Sequence, residues 1–446
     1  MIKASDNKQF KYDLAIRNGL VLTLDKDWTE FQKGLILIRG NHLAYVGNEN
    51  DHPGYFASRL IDADGGIVMP AFFNGHTHSA MSMFRGMGND LPLESWLNDH
   101  IWPSEARFVT PENVYLGSMV SAIEMIRCGT GIFVDMYFFQ EDTVRACEEL
   151  GIRVVVGEGI LDTPTPNKKT PSDGLLYTKH LYNIYKDHPL VNMSIPAHAP
   201  YTCSPDVLKA IGDLSRELNI PATIHLAETT SEDIEMKKKY GKSSSRHLAD
   251  LGFFQGRSVA YHCNHLSKED IHLLNEFNVG VVTNPNSNMK LGAGVCPVPE
   301  LYNSGLIIGI GTDGAASNNN QCMILDMQLS ARLHKMTHHD PTVITARQAI
   351  RMATLNNAII YGLDDSIGTL ETGKLADLMI INTDQAHWQP LYDPYSQIVY
   401  SMQPGDVSGT MVNGKMIMEN QKILTVDEDY FINKIAQLGK MIHERG

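Results

Sequence analysis

A chain of 446 residues, 43% of them hydrophobic, has ample material for a large folded core, and its formal net charge of −14 disfavours nucleic acid and anionic membrane surfaces as partners. No apolar run reaches the roughly 18 residues of a membrane-spanning helix, and residues 1–11 are polar with no leader-like stretch, which predicts a cytoplasmic protein acting on a small molecule. Six scattered cysteines (Cys128, Cys147, Cys203, Cys263, Cys296 and Cys322) without a C-x-x-C pair read as reduced thiols in a chain too long to need disulfides.

From the amino end, residues 13–68 alternate short β-prone runs with turns, and Gly40-Asn41 marks one hairpin. The carboxyl end has the same texture, with a β-prone run over 377–381 and a hairpin around Asn413-Gly414. Together the two ends predict a small composite β-sandwich of residues 1–67 plus 368–446.

Between them, residues 68–367 alternate strand-like with helix-like segments, the pattern of an α/β fold with a parallel sheet. Eight candidate strands fall at 67–73, 131–136, 153–159, 191–197, 222–226, 258–262, 280–283 and 306–311, the number of a (β/α)8 barrel. Helix starts are marked by Thr110-Pro111 and Ser204-Pro205, and stops by Gly129, Gly151, Gly252 and Gly305. Thr345-Ala346-Arg347-Gln348 spells a capping box opening a helix to about Tyr361.

Four strand ends carry the chemistry: Gly75-His76-Thr77-His78, Ile224-His225-Leu226-Ala227-Glu228, Tyr261-His262-Cys263 and Gly311-Thr312-Asp313-Gly314. They supply imidazoles, two carboxylates and no thiolate directed at the site, which suits a catalytic divalent cation with one position open to water. On a strand, residues i and i+2 share a face, so His76 and His78 converge while Thr77 points away. The same alternation turns Cys263 away from His262 and into packing. Parallel barrels gather such strand ends around one mouth.

Read together, Met69-Pro70-Ala71-Phe72-Phe73-Asn74-Gly75-His76-Thr77-His78, Phe84-Arg85-Gly86, Trp96-Leu97, Trp102-Pro103-Ser104-Glu105, His198-Ala199-Pro200-Tyr201, His225-Leu226-Ala227-Glu228, the run Asn284 to Gly292 and the run Gly311 to Asn318 resemble the methylthioadenosine/S-adenosylhomocysteine deaminases of the amidohydrolase superfamily. The resemblance covers nearly the whole chain. It implies a barrel with a composite sandwich, one divalent metal (zinc ahead of Fe2+ or Mn2+), and hydrolytic removal of the amino group from 5′-methylthioadenosine, S-adenosylhomocysteine or adenosine. The fourth strand has no lysine that a second metal would need, so one ion is expected.

By the same resemblance, His76, His78, His225 and Asp313 hold the metal, and Asp313 also takes the water proton. Glu228 shuttles a proton to N1 of the purine, and His262, favoured over His265, stabilises the developing charge. Glu105 meets the ribose hydroxyls, His198 lies near the sugar or thioether, and Trp96 and Trp102 wall the 5′ substituent. Asn284, Asn288 and Lys290 read equally well as loop structure, while Met81, Met83 and Met87 read as core with some members lining the pocket. Glu158 stands where some members carry an arginine, and it is expected to repel the carboxylate of S-adenosylhomocysteine, with Arg85 or Lys169 as possible compensation. A homo-oligomer, a dimer by family, is expected. The competing readings are a triazine or other heteroaromatic hydrolase and a catalytically silent barrel. Guanine and cytosine deaminases surround their sites with different motifs.

Overall fold

The computed structural model describes residues 11–445, so the segment read above as free of a leader lies almost wholly outside the described residues. Nine strands from both chain ends join in one hydrogen-bonded sheet. Lys11–Leu22, Glu30–Arg39, His42–Asn48, Phe56–Asp62 and Ile67–Pro70 come from the amino side, and Leu378–Ile381, Val407–Val412, Lys415–Glu419 and Lys422–Ile423 from the carboxyl side. The two ends meet where Met69 pairs antiparallel with Met379. The sheet encloses Leu14, Ile16, Ile36, Ile38, Val68, Leu378, Ile380 and Met411, which is what makes it a sandwich. Asn413 and Gly414 both have positive φ, 51° and 75°, the two-residue turn whose twist matches the flanking strands.

The rest of the chain is built around a (β/α)8 barrel of parallel strands. In order they are Phe72–Thr77, Thr130–Tyr137, Arg153–Glu158, a fourth strand interrupted at Ser194 (Val191–Met193 and Ile195–Ala197), Ala222–Leu226, Ser258–His262, Gly280–Thr283 and Ile308–Ile310. Side chains join the eighth strand to the first. Asn357 Nδ2 donates to the carbonyls of Phe73 (2.6 Å) and Ile310 (2.8 Å), and Asn74 exchanges hydrogen bonds with Thr312 through its amide (2.7 and 3.0 Å). The backbone N–H of Asp313 donates to His76 O (2.9 Å), so this seam delivers two expected ligands together. A Cβ at Gly311 would come within 2.7 Å of the His76 nitrogen, so only glycine lets the strands approach this closely.

Two expectations are corrected. The run expected as one strand over 67–73 divides at Ala71, with Ile67–Pro70 in the sandwich and Phe72–Thr77 in the barrel. Every residue of that run is buried, so its pattern carries no sign of which sheet each half joins. The helix expected over 345–361 breaks into Ala346–Met352 and Leu355–Tyr361, because the carbonyl of Ala353 accepts from Phe73 N (2.9 Å) rather than continuing the helical ladder. The helix Pro205–Leu218 starts where expected, with Ser204 at the N-cap position and Pro205 first, but the Ser204 hydroxyl donates to Asp162 (3.1 Å) and makes no cap bond to the helix.

The helix Glu428–Arg445 lies against Pro111–Arg127, joined by an Arg127–Glu428 ion pair (2.7 Å). Its Leu438 and Ile442 enter the apolar cluster of Met83, Phe84, Trp96 and Ile101 behind the loop after the first strand. All six cysteines are free and buried. Among the described residues, no helix is long and apolar enough to cross a membrane.

Candidate metal centre and active site

His76, His78 and His225 bring one ring nitrogen each to within 4.8 Å of one another, and His76, His262 and Asp313 form a second such group that shares His76. The Nε2 atoms of His76 and His78 lie 3.6 and 3.3 Å from Asp313 Oδ1. Remote carbonyls set the direction of two rings: His78 Nδ1 donates to Met136 O and His225 Nδ1 to His198 O, both at 2.6 Å, leaving each Nε2 for the centre. His76 stacks on Tyr261 with ring centroids 3.8 Å apart.

The donor set fits a cation. Both nitrogens of His76 and Nε2 of His262 are buried without a hydrogen-bond partner among the described residues, an arrangement that is costly in a closed interior; coordination would relieve Nε2 of His76, the nitrogen turned to Asp313. Burial first, then the neighbouring imidazoles, holds His76 and His225 far below the usual imidazole range, in the neutral form that ligates. For Asp313, burial would raise the carboxyl, but His78, His262 and the hydroxyls of Ser287 and Ser317 outweigh it and keep the group ionised. Ser287 (2.6 Å) and Ser317 (2.8 Å) both donate to Oδ2, so Oδ1 is the oxygen turned to the imidazoles.

Backbone strain concentrates here. Ala227, His262, Cys263 and Asp313 all have positive φ, between 50° and 65°, the left-handed region that side chains rarely adopt. Each residue bends the chain at the end of its strand and turns it across the mouth, a cost the surrounding packing must sustain.

Glu228 and His262 face one another across 3.9 Å. Burial raises the carboxyl of Glu228, while Glu228 and Asp313 overcome burial to raise His262. His262 Nδ1 donates to Asn288 Oδ1 (2.8 Å), Asn288 Nδ2 to Asn264 Oδ1 (2.8 Å), and Asn264 Nδ2 to the carbonyl of Glu228 (3.0 Å). This relay presents His262 Nε2 to the centre.

A cavity of about 760 Å3 opens above these groups. His78, His225, Glu228, His262 and Asp313 line its floor, while Glu105, His198, Trp96 and Trp102 line its walls, so the residues singled out from sequence converge on one space apart from the wholly enclosed His76. Tyr137 donates to Glu105 Oε1 (2.7 Å), and burial raises the Glu105 carboxyl to about 7. Burial likewise lowers His198 to about 4, so it is a neutral imidazole. The helical turn at Trp96–Ile101 is π-wound, a local irregularity that places Trp96 and Ile101 on the wall.

Other expected residues fall elsewhere. Glu158 is not part of the lining: it is fully buried, accepts from Asn167 Nδ2 (2.6 Å) and sits under the start of the helix Gln140–Leu150, so it cannot meet a substrate carboxylate. Lys290 donates to Ala316 O and Asn319 Oδ1 outside the cavity, and Arg85 pairs with Glu124. His265 Nε2 bonds Ala293 O (2.6 Å). Asn284 Nδ2 lies 3.4 Å from His262 Nδ1. Met81 lines the cavity; Met83 and Met87 do not.

Sequence reasoning did not single out Asn264, Ser287, Ser317 or Asp135. Buried Asp135 accepts from Thr77 Oγ1 (3.0 Å) and Ser79 N (2.5 Å) and so orients the segment carrying His76 and His78. Its signal in the sequence is only an acid within an otherwise apolar strand, Ile132-Phe133-Val134-Asp135-Met136.

The amidohydrolase family model matches residues 67–417. A 5-methylthioadenosine/S-adenosylhomocysteine deaminase 1 of Syntrophus aciditrophicus is 40% identical over 433 residues, 97% of this chain and 98% of that protein. A 5′-deoxyadenosine deaminase of Methanosarcina mazei is 38% identical over 97% of this chain and 99% of its own length. The crystal structure of an adenosine deaminase from Xanthomonas campestris with bound zinc superposes with a TM-score of 0.95 at 31% identity, covering 97% of this chain and 99% of that one.

Proposed function

The chain belongs to the amidohydrolase family, and from that premise we propose how its residues carry out the hydrolytic deamination of adenine-type nucleosides to the inosine derivative and ammonia. The observation that carries the reading is the raised Glu228 carboxyl beside His262, on the floor of a substrate-sized cavity and next to a His/Asp cluster built for a cation.

His76, His78, His225 and Asp313 would hold one divalent ion, zinc by analogy with the Xanthomonas protein. Bound there, the ion supplies Lewis acidity that makes a water molecule nucleophilic near neutral pH. Asp313, ionised and fixed by two serines, takes the water proton as attack proceeds at C6 of the ring. Glu228, with its proton affinity raised by burial, delivers a proton to N1, which lets the ring nitrogen accept the electron pair. His262, aimed through Asn288, stabilises negative charge as it develops at the attacking oxygen. Ammonia then leaves with the proton that Asp313 took from the water, while Glu228, left ionised by the transfer to N1, takes the proton of the C6 hydroxyl as the carbonyl forms and is restored to its starting state. By the same family resemblance we infer a homo-oligomer, and a single monomeric peak in light scattering would reject it.

Glu105 binds the ribose hydroxyls, and its protonation makes that binding pH-dependent. Below about pH 7 the carboxyl holds a proton and has less acceptor capacity; above it, the carboxylate accepts from both hydroxyls. KM for a ribose-bearing substrate is expected to fall as pH rises from 6 to 8, and Glu105→Gln should flatten that dependence. A KM that is level across this range in the parent enzyme would remove Glu105 from sugar binding.

The outer wall carries the apolar Leu93, Leu97, Ile101, Trp102, Leu161 and Pro164 together with Asp162, Thr163 and Thr165, and no lysine or arginine is present in the described lining. Methylthioadenosine and 5′-deoxyadenosine therefore fit better than S-adenosylhomocysteine, whose carboxylate would find no cationic partner in this lining and would meet Asp162 instead. Ammonia release from these three, adenosine, guanine and a chlorotriazine tests both points. Conversion of the adenosine derivatives, with kcat/KM for methylthioadenosine at least about tenfold above S-adenosylhomocysteine, is expected. Turnover of the triazine alone would move the substrate to another heteroaromatic ring.

A further inference from the structure

Glu232 is fully enclosed and plays no part in the chemistry above. Thr229-Thr230-Ser231-Glu232 spells a capping box at the start of the helix Thr230–Tyr240, and half of that box forms, because Thr229 Oγ1 accepts from Glu232 N (3.4 Å). The carboxylate, however, reaches past the cap. Its Oε1 accepts from the backbone N–H of Ala227 (2.8 Å) and from Ser244 Oγ (2.6 Å), and its Oε2 accepts from the N–H of Glu228 (3.1 Å).

Those two N–H groups belong to the turn that carries the proton shuttle. Ala227 has φ 50°, a conformation an alanine does not hold unaided, and it lies immediately before Glu228. The other side of the turn is tied by Asn264 Nδ2 on the Glu228 carbonyl (3.0 Å), which continues through Asn288 to His262. Both backbone polar groups of Glu228 are thus held by side chains from outside its own strand. Burial pushes the Glu232 carboxyl up to about 7 while its three donors pull it down, and all three converge on its two oxygens; in the ionised form it accepts every one of them, and bonds to an ionised acceptor are the stronger kind.

We propose that Glu232 is a positioning residue that locks the strained Ala227–Glu228 turn and so aims the Glu228 carboxyl at the ring nitrogen. The proposal rests on Glu228 being the proton shuttle. A glutamine at this position has one acceptor oxygen in place of two, so the three donors can no longer all be satisfied, and the turn relaxes. Misplacement of a reacting group by about 1 Å can cost a factor of about 10².

Glu232→Gln tests it in the metal-loaded, full-length enzyme with methylthioadenosine. The expected result is a fall in kcat of about 10- to 100-fold per bound metal, KM within about threefold of the parent, unchanged metal content, and a displaced limb in the kcat–pH profile. Ser244→Ala, which removes one donor from Oε1, should lower kcat by a smaller factor with the same signature, and it carries the test if the first variant does not fold. Parent kcat per bound metal in the variants, or a loss of rate accounted for wholly by unfolded protein or lost metal, would overturn the proposal. If the parent enzyme converts no adenosine derivative, the functional reading fails by itself, and crystal structures decide the positioning role: a displaced Ala227–Glu228 turn in Glu232→Gln supports it, and an undisturbed turn rejects it.

Discussion

Glu228→Gln is expected to bind its full complement of metal and to lose about 10³-fold in kcat on methylthioadenosine, within the range for removal of a general acid–base. The substitution keeps the size of the side chain and removes only its exchangeable acid proton. Glu228 lines the cavity and lies 3.9 Å from His262, so the metal ligands are not disturbed by the change. The sign of the pH effect follows from burial. Its carboxyl is raised above the ordinary range, so the proton is held to higher pH than in water and the rate falls only as pH rises through that elevated value. In Glu228→Gln this alkaline limb should disappear. Metal analysis together with a kcat–pH profile checks both parts; a variant that keeps more than about a tenth of the parent rate would take proton delivery away from Glu228.

Removal of the metal should have the larger effect. With the ion chelated, activity should fall to background and return on adding a divalent cation, because the nucleophile is generated there. Stability should follow. Coordination would give Nε2 of His76 the partner it otherwise lacks, and an ion that binds only the folded state adds about 4 kcal/mol at a thousandfold excess over Kd. A rise in Tm on metal addition reads this without any substrate. Asp313→Asn removes one ligand charge and the base that takes the water proton, so it should lose at least about 10³-fold in turnover and most of the Tm response to metal. The asparagine also places an N–H2 where Oδ2 now accepts from Ser287 and Ser317, so those hydroxyls must turn to accept and no longer fix the side chain as they fix the carboxylate. A full Tm response in Asp313→Asn would exclude that residue from the ligand set.

The legible parts of this protein were those carried by neighbours in sequence. The His-x-His spacing specifies a shared face because strand alternation is a local property, and the eight strand positions follow from the alternation of apolar runs with capped helices. The Asn413-Gly414 turn was legible for the same reason: few other dipeptides accept two successive positive φ values. Misjudged elements share the opposite character. The run 67–73 divides at Ala71 because each half pairs with a different distant strand, Met69 with Met379 and Phe72 with Thr130. Glu158 was misplaced because strand position sets which face a side chain takes but not what the adjoining loop lays over it; here Asn167 covers it.

The sequence by itself determined the class of fold and the residue types that gather at the candidate site, since hydrophobic periodicity and residue chemistry are fixed by local covalent geometry. The tertiary structure alone decided how those ligands are aimed. Asn357 joins Phe73 and Ile310, Ser287 and Ser317 orient Asp313, Asn288 and Asn264 link His262 to Glu228, and Glu232 and Ser244 hold the Ala227–Glu228 turn. Hydrogen bonds have directions and short reach, and their partners here come from separate strands and loops of the barrel. Their geometry exists only once the eight strands have closed around a common mouth.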